Sequence, residues 1–206
     1  MKFTSILSLV LVSLIGLSSH AESAPDKAAQ FVAQLKDAAL NLYVQYPDAG
    51  ARLGEVCKLI DSNTDIPKMS DFSLGRHKKK FSPEQLASFN QGFRSMLAGI
   101  FDLAFQRLKN GAITIDPVSK AIDDGRVVSL TVEASGNHSA TRLQFYLSEA
   151  TKDKFLLFDA SLNSLRIMLA KRSEFDSVIN NAEQEKPGSG ADALIADINQ
   201  NNTACP

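Results

Sequence analysis

The stretch DFSLGRHKKKFSPEQLASFNQGFRSML, residues 71–97, decides how this chain is read. It opens as a short basic segment and passes into a strongly signalled helix. Ser82 is placed to cap the helix N-terminus, and Pro83 fits the first helical position, where its missing N–H would have no partner anyway. Glu84 and Gln85 then put an acid and an amide in the first turn. Beyond them Leu86, Phe89, Phe93, Leu97, Ile100, Phe101, Ala104 and Leu108 recur at three- and four-residue steps and build one long apolar stripe. Met96, Leu103 and Phe105 make it wider than a single packing seam needs. The helix is predicted to end near Leu108, because Asn110-Gly111 signals a turn.

Upstream, residues 25–46 read as an amphipathic helix with Phe31, Leu35, Ala38, Ala39 and Leu42 on one face. Pro47-Asp48 breaks it, residues 49–59 form a second helix carrying Cys57, and residues 61–67 read as a polar connector. Downstream the period changes from helical to alternating. Residues 112–115 read as a short strand, and residues 126–134 alternate, with Val128, Leu130, Val132 and Ala134 opposed to Ser129, Thr131 and Glu133. After a turn at residues 135–138, Leu143, Phe145 and Leu147 alternate with Arg142, Gln144 and Tyr146. A second turn at residues 151–154 leads to a last strand with Leu156, Phe158, Ala160 and Leu162 on one face. Residues 164–181 return to helix, and residues 191–199 form a short closing helix. The expected fold class is α+β: helices first, a curved antiparallel sheet of about four strands, helices last, with helices covering one apolar sheet face.

The amino terminus carries Lys2, an uncharged apolar run from Ile6 to Leu17, and small residues Ser19 and Ala21 at the −3 and −1 positions of a cleavage site. This predicts a signal peptide over residues 1–21, cut after Ala21, since a membrane-spanning helix needs roughly 20 apolar residues. Residues 22–206 are then expected to form one exported, soluble domain. The two cysteines, Cys57 and Cys205, suit an exported protein with one structural disulfide, which would contribute on the order of 4–5 kcal/mol by closing so long a loop. The other reading is two unrelated thiols, one buried and one on a frayed tail. Neither has a Cys or His at ligand spacing, so no metal is expected.

With 22 Lys and Arg against 23 Asp and Glu, the chain lacks the basic excess of a nucleic-acid binder. It has 12 Phe but 3 Tyr and no Trp, a bias that suits contact with hydrocarbon more than a ligand needing polar aromatic edges, although Phe also fills ordinary cores. Catalysis has little support. His77 and His138 are the mature chain's histidines and neither has a nucleophile at motif spacing; Asp123-Asp124 before Gly125 reads as turn chemistry, and there is no Gly-rich phosphate loop or nucleophile elbow. No enzyme activity and no cofactor are expected.

The quoted stretch resembles the periplasmic phospholipid-binding proteins of the MlaC type, also called toluene-tolerance auxiliary proteins, which carry a Phe-x-Leu-Gly-Arg segment, a Pro-Glu-Gln helix start, and Phe and Leu at this spacing. A second block, FDASLNSLRIMLAKRSEF at residues 158–175, is similar to the family's strand–turn–helix signature, with Asp159, Ile167, Arg172, Ser173 and Phe175 in matching places. Residues 190–195 resemble its closing Gly-x-Asp-x-Leu-Ile helix. The chain departs from the pattern at Ser164 for the usual Gly, Arg166 for Ser, Lys171 for an aromatic, and His77-Lys78 where an aromatic commonly follows Gly-Arg. These departures bear on headgroup preference and docking more than on fold.

The resemblance implies a carrier that buries the acyl chains of a phospholipid between sheet and helices and moves lipid between an outer-membrane lipoprotein complex and an inner-membrane ABC transporter complex. It implies a monomer in the periplasm. The residues expected to line such a pocket are Phe72, Leu74, Phe89, Phe93, Leu97, Phe101 and Phe105, facing Val128, Leu130, Val132, Leu143, Phe145, Leu147, Leu156, Phe158 and Leu162. The alternatives are that these side chains form a solid core, that the lipid is hopanoid-like, or that the protein is an exported adaptor or chaperone. Residues 76–80 read either as a contact for anionic headgroups or an acidic partner, or as a solvated helix end. Arg172 reads as a carbonyl cap, a partner for Asp159 or a headgroup contact, with a structural role favoured.

Overall fold

A computed structural model describes residues 25–123, 125–133 and 140–206, apart from the side chain of Asn201. The expected signal peptide over residues 1–21, Ala134 and the turn expected at residues 135–138 lie outside the described residues. In order, the elements are α1 (Lys27–Gln45), α2 (Ala49–Asn63), α3 (Ile66–Leu74), a 3-10 segment (Gly75–Lys80), α4 (Pro83–Leu108), β1 (Ala112–Ile115), β2 (Lys120–Ile122), β3 (Gly125–Glu133), β4 (Thr141–Thr151), β5 (Lys154–Leu162), β6 (Leu165–Arg166), α5 (Ile167–Glu185) and α6 (Gly190–Asn201).

Local chemistry starts each helix of the amino half. The carboxylates of Asp26, Asp48 and Asp65 accept from the backbone N–H groups of Ala29, Ala51 and Lys68, and Ser82 and Gln85 close a reciprocal capping box. The expected polar connector at residues 61–67 is therefore mostly helix. α2 continues to Asn63, and Asp65 with Pro67 opens α3 at once, leaving Thr64 and Asp65 as the joint.

The sheet is antiparallel, in the order β1-β3-β4-β5-β6, with β2 also paired to β3. Among the described residues there are six strands where about four were expected. The additions are three and two residues long, too short for alternation to reveal. Ile122 pairs with Gly125, whose φ of 150° and approach to Leu147 leave no room for a side chain: a Cβ there would lie 1.9 Å from the Leu147 carbonyl oxygen. Leu162 pairs with Leu165 across Asn163 and Ser164, both at positive φ (47° and 73°), so the expected passage from strand straight into helix is a tight hairpin first. On the outer edge of β5, Thr64 pairs with Leu157, and the Asp65 N–H donates to the Leu157 carbonyl at 2.8 Å.

Two apolar cores result. A helical core holds Phe89, Phe93, Leu97, Met168, Phe175, Ile179 and Leu194, with Phe175 edge-on to Phe89 at 5.7 Å between ring centroids. The sheet face forms a second core with α1, in which Val32 and Leu35 meet Val128, Leu130, Leu143, Phe145 and Leu147. Cys57 and Cys205 form a disulfide with Cα atoms 5.9 Å apart, and the Cys205 N–H donates to Ser95 Oγ at 3.0 Å. The carboxyl terminus is thereby tied to α2 and α4. No described helix is long and apolar enough to cross a membrane.

Candidate functional site

α4 is 26 residues long, about 39 Å of helix, and it serves both cores in succession. Its first half is sealed in the helical core. Its second half lies over the sheet face, and a cavity of about 80 Å³ opens there. Ile100, Phe101, Ala104, Phe105 and Leu108 form one wall; Leu143 and Phe145 of β4, Ala160 and Ser161 of β5, and Ile167 at the start of α5 form the other. Ser161 is the single polar residue among them. The Phe101 and Phe105 rings stack at 6.2 Å and divide this cavity from a void of about 10 Å³ between α1, α2 and α4, lined by Ala39, Leu42, Tyr43, Val56, Leu59 and Asp102.

A polar network closes the far side of that void. Arg52, 4 % exposed, donates from Nε to Asp102 Oδ1 at 2.8 Å and from Nη1 to the carbonyls of Tyr46 and Pro47, where α1 ends. Its guanidinium covers the Tyr43 ring at 4.4 Å, and the Tyr43 hydroxyl donates to the Asp102 carbonyl and carboxylate. Burial pushes the Asp102 carboxyl up, but the hydrogen bonds from Arg52 and Tyr43 together outweigh it and hold it below the ordinary carboxylate value. Burial, reinforced by the bond to Asp102, pushes the Tyr43 hydroxyl above its usual range.

Next to Ala160 in β5 lies Asp159, 1 % exposed. Its carboxylate accepts from the Ala160 and Met168 N–H groups at 2.7 and 3.0 Å and from Arg166 Nε at 2.7 Å. Met168 is in the first turn of α5, which has no capping side chain of its own, so Asp159 caps α5 from the neighbouring strand. Arg166 is therefore the partner of Asp159. Arg172 is not; it lies over the Phe72 ring at 5.4 Å.

Of the lining residues expected from sequence, Phe101, Phe105, Val128, Leu130, Val132, Leu143, Phe145 and Leu147 come together on the sheet face. Leu162 shares that face as the partner of Leu143 but is 47 % exposed at the rim. Leu74, Phe89, Phe93 and Leu97 are buried in the helical core instead, and Phe72 is an exposed side chain under Arg172. Leu156 and Phe158 face away from the cavity. The cause is a register shift between β4 and β5: Tyr146 pairs with Asp159, but Leu147 pairs with Leu157, so Phe158 is an extra residue and the strand's parity reverses. Phe155 and Leu157 take the inward positions, which period-2 reading of β5 assigned to Leu156 and Phe158. Ile100, Ala104 and Leu108 were legible as part of the stripe. Ala160 was legible on the apolar face of its strand, whereas nothing in the sequence marks Ile167 as a counterpart across the cavity.

The basic segment at residues 76–80 lies on the α3–α5 side and shares no residue with the apolar cavity. Among the described residues no group of His, Cys, Asp and Glu is arranged to hold a metal.

The fold is thus an α+β domain architecture whose distinctive element is an apolar cavity between one long helix and a face of an antiparallel sheet. The chain belongs to the MlaC protein family, whose sequence profile matches residues 26–200. It is 28 % identical over 100 residues to the toluene tolerance protein Ttg2D of Pseudomonas putida, a match spanning 48 % of this chain and 46 % of that relative, so about half of each protein is aligned. In structure it is similar to the phospholipid-binding protein of Ralstonia solanacearum solved in complex with a phospholipid. The TM-score is 0.66 at 22 % identity, over 86 % of this chain and 96 % of the other.

Proposed function

We propose that this protein is a periplasmic phospholipid carrier, exported by the signal peptide of residues 1–21, that shuttles lipid between an outer-membrane lipoprotein complex and an inner-membrane ABC transporter complex. It acts without covalent chemistry. The observation that carries this reading is the cavity walled by Phe101, Phe105, Leu143 and Phe145, which offers hydrocarbon and almost nothing polar. Each methylene moved from water into such a site contributes about 0.8 kcal/mol, so acyl chains bind tightly while a headgroup left outside adds little. Membership of the MlaC family and the fold shared with a phospholipid-binding protein support the same assignment.

The cavity's size sets a condition on the mechanism. At about 80 Å³ it is far below the roughly 300–1,000 Å³ of ordinary ligand pockets. An acyl chain is therefore admitted only when α4 and α1 move off the sheet face, with Phe101 and Phe105 swinging apart to join the two voids. The same small volume favours a second reading, an exported adaptor whose core stays filled and whose surface does the binding.

Native mass spectrometry of detergent-free periplasmic protein, followed by lipid extraction, separates the two. A bound diacyl phospholipid mass is the expected result, and a hopanoid mass would change the cargo. Protein that carries no lipid and takes up none when it is added would overturn the carrier reading in favour of the adaptor.

A further inference from the structure

The two blocks of sequence that carry the family resemblance meet in space at a place the apolar cavity does not use. Leu74, Arg76 and His77 of the first block, Arg172 of the second and Asp176 just beyond it enclose a cleft of about 260 Å³. His77 is 4 % exposed and its Nε2 lies 2.7 Å from Asp176 Oδ1, which also accepts from Arg76 Nη2 at 3.0 Å. Asn180 Nδ2 donates to the other Asp176 oxygen at 2.8 Å. The one carboxylate in the cleft is thus matched by groups already around it.

Arg172 is not matched. Among the described residues it has no carboxylate partner, and its guanidinium is held between the Phe72 ring and the Gly75 backbone. Gly75 sits at φ 51°, and a Cβ there would fall 2.8 Å from Arg172 Nη2, so the glycine both makes the turn and leaves room for the guanidinium. Further along the 3-10 segment Lys78 pairs with Asp71 and Lys80 acts on Glu183, whereas Lys79 has no carboxylate partner among the described residues. The cleft is therefore locally cationic in a chain whose formal net charge is −1. His77 is buried in the cleft wall, with its Nδ1 a buried side-chain nitrogen without a partner.

The geometry points to an oxyanion site of phosphate type, with the Arg172 and Arg76 guanidinium groups as its donors. Two planar forks approaching one cleft suit a tetrahedral oxyanion, which takes two donors from each. The source is either free phosphate or the phosphodiester of a lipid in an anionic membrane surface, to which Lys78, Lys79 and Lys80 would add attraction. The site is independent of acyl-chain burial, since the two cavities have no lining residue in common.

The mature protein is titrated calorimetrically with inorganic phosphate, and separately floated with vesicles of phosphatidylglycerol and phosphatidylcholine, alongside Arg172→Gln, Arg76→Gln and the control Lys120→Gln on β2. Saturable phosphate binding weakened about tenfold or more by Arg172→Gln, and unchanged in the control, supports a soluble-phosphate site. No response to phosphate but vesicle binding lost in the same variant supports a headgroup site. If Arg172→Gln does not fold, Arg76→Gln gives the answer, because Arg76 is 73 % exposed and its loss leaves the core intact. Absence of both kinds of binding, or an equal loss in Lys120→Gln, overturns the proposal.

Discussion

Phe93 and Phe101 stand eight residues apart on α4, and Phe93 is buried inside the helical core whereas Phe101 packs at the junction of both cores. Phe93 is fully buried against Phe89 and Phe175, with ring centroids at 5.4 and 6.3 Å. Phe101 is half-buried and touches both cavities. Substitutions at the two positions should therefore separate folding from cargo binding.

Phe93→Ala is expected to cost about 3–5 kcal/mol, the range for emptying a closed aromatic site, and Phe93→Asp to prevent folding altogether. Phe101→Asp should leave a folded, exported protein that no longer retains lipid. Urea unfolding and native mass spectrometry on the same samples check this. Equal lipid loss per folded molecule in Phe93→Ala would contradict the division of α4 into two halves.

The Arg52–Asp102 pair gives acid-dependent stability. The Asp102 carboxyl is held below its ordinary value in the folded protein, so the folded state binds its proton more weakly than the unfolded chain does. This contribution is complete above the unfolded value of about 3.9 and is lost as pH falls through the lower folded value. Asp102→Asn should remove that part of the acid dependence. It also leaves the Arg52 guanidinium buried opposite an amide, a loss of about 3–5 kcal/mol at neutral pH. Urea midpoints measured from neutral to acid pH show whether the two curves converge.

Ser164 occupies a left-handed position, φ 73°, that costs an L-residue about 1–2 kcal/mol. Its neighbour Asn163, at φ 47°, accepts from the Arg142 N–H through its side-chain oxygen at 3.2 Å and donates its own N–H to the Arg142 carbonyl. Ser164→Gly is expected to stabilise the protein by about 1 kcal/mol, and Asn163→Ala to destabilise it. A higher urea midpoint at unchanged slope is the signature for Ser164→Gly.

Reducing the Cys57–Cys205 disulfide, which closes a separation of 148 residues, should cost about 2–5 kcal/mol. The carboxyl-terminal residues after α6 should then gain amide exchange first, since the Cys205 N–H loses its fixed position against Ser95. Cys57→Ala with Cys205→Ala reproduces the effect without reductant.

Much of this architecture was written locally. Ser82, Pro83 and Gln85 mark the start of α4 because a helix's first N–H groups need partners within reach along the chain, and the alternation of Val128, Leu130 and Val132 marks β3 because a strand's side chains leave on opposite faces. The apolar wall built from Phe101, Phe105, Leu143 and Phe145 follows from the same two periods. What the chain could not disclose by itself depends on distance in sequence. A stripe along α4 records that its residues are buried, not against what, so Phe93 and Phe101 look alike until α5 and the sheet are placed. The single extra residue at Phe158 exchanges the faces of Phe155 and Leu157 with those of Leu156 and Phe158, because strand parity is reset by the partner strand's register. The capping of α5 by Asp159, and the cleft where Arg76 meets Arg172, exist only once the sheet brings together segments that propensity and period treat as unrelated.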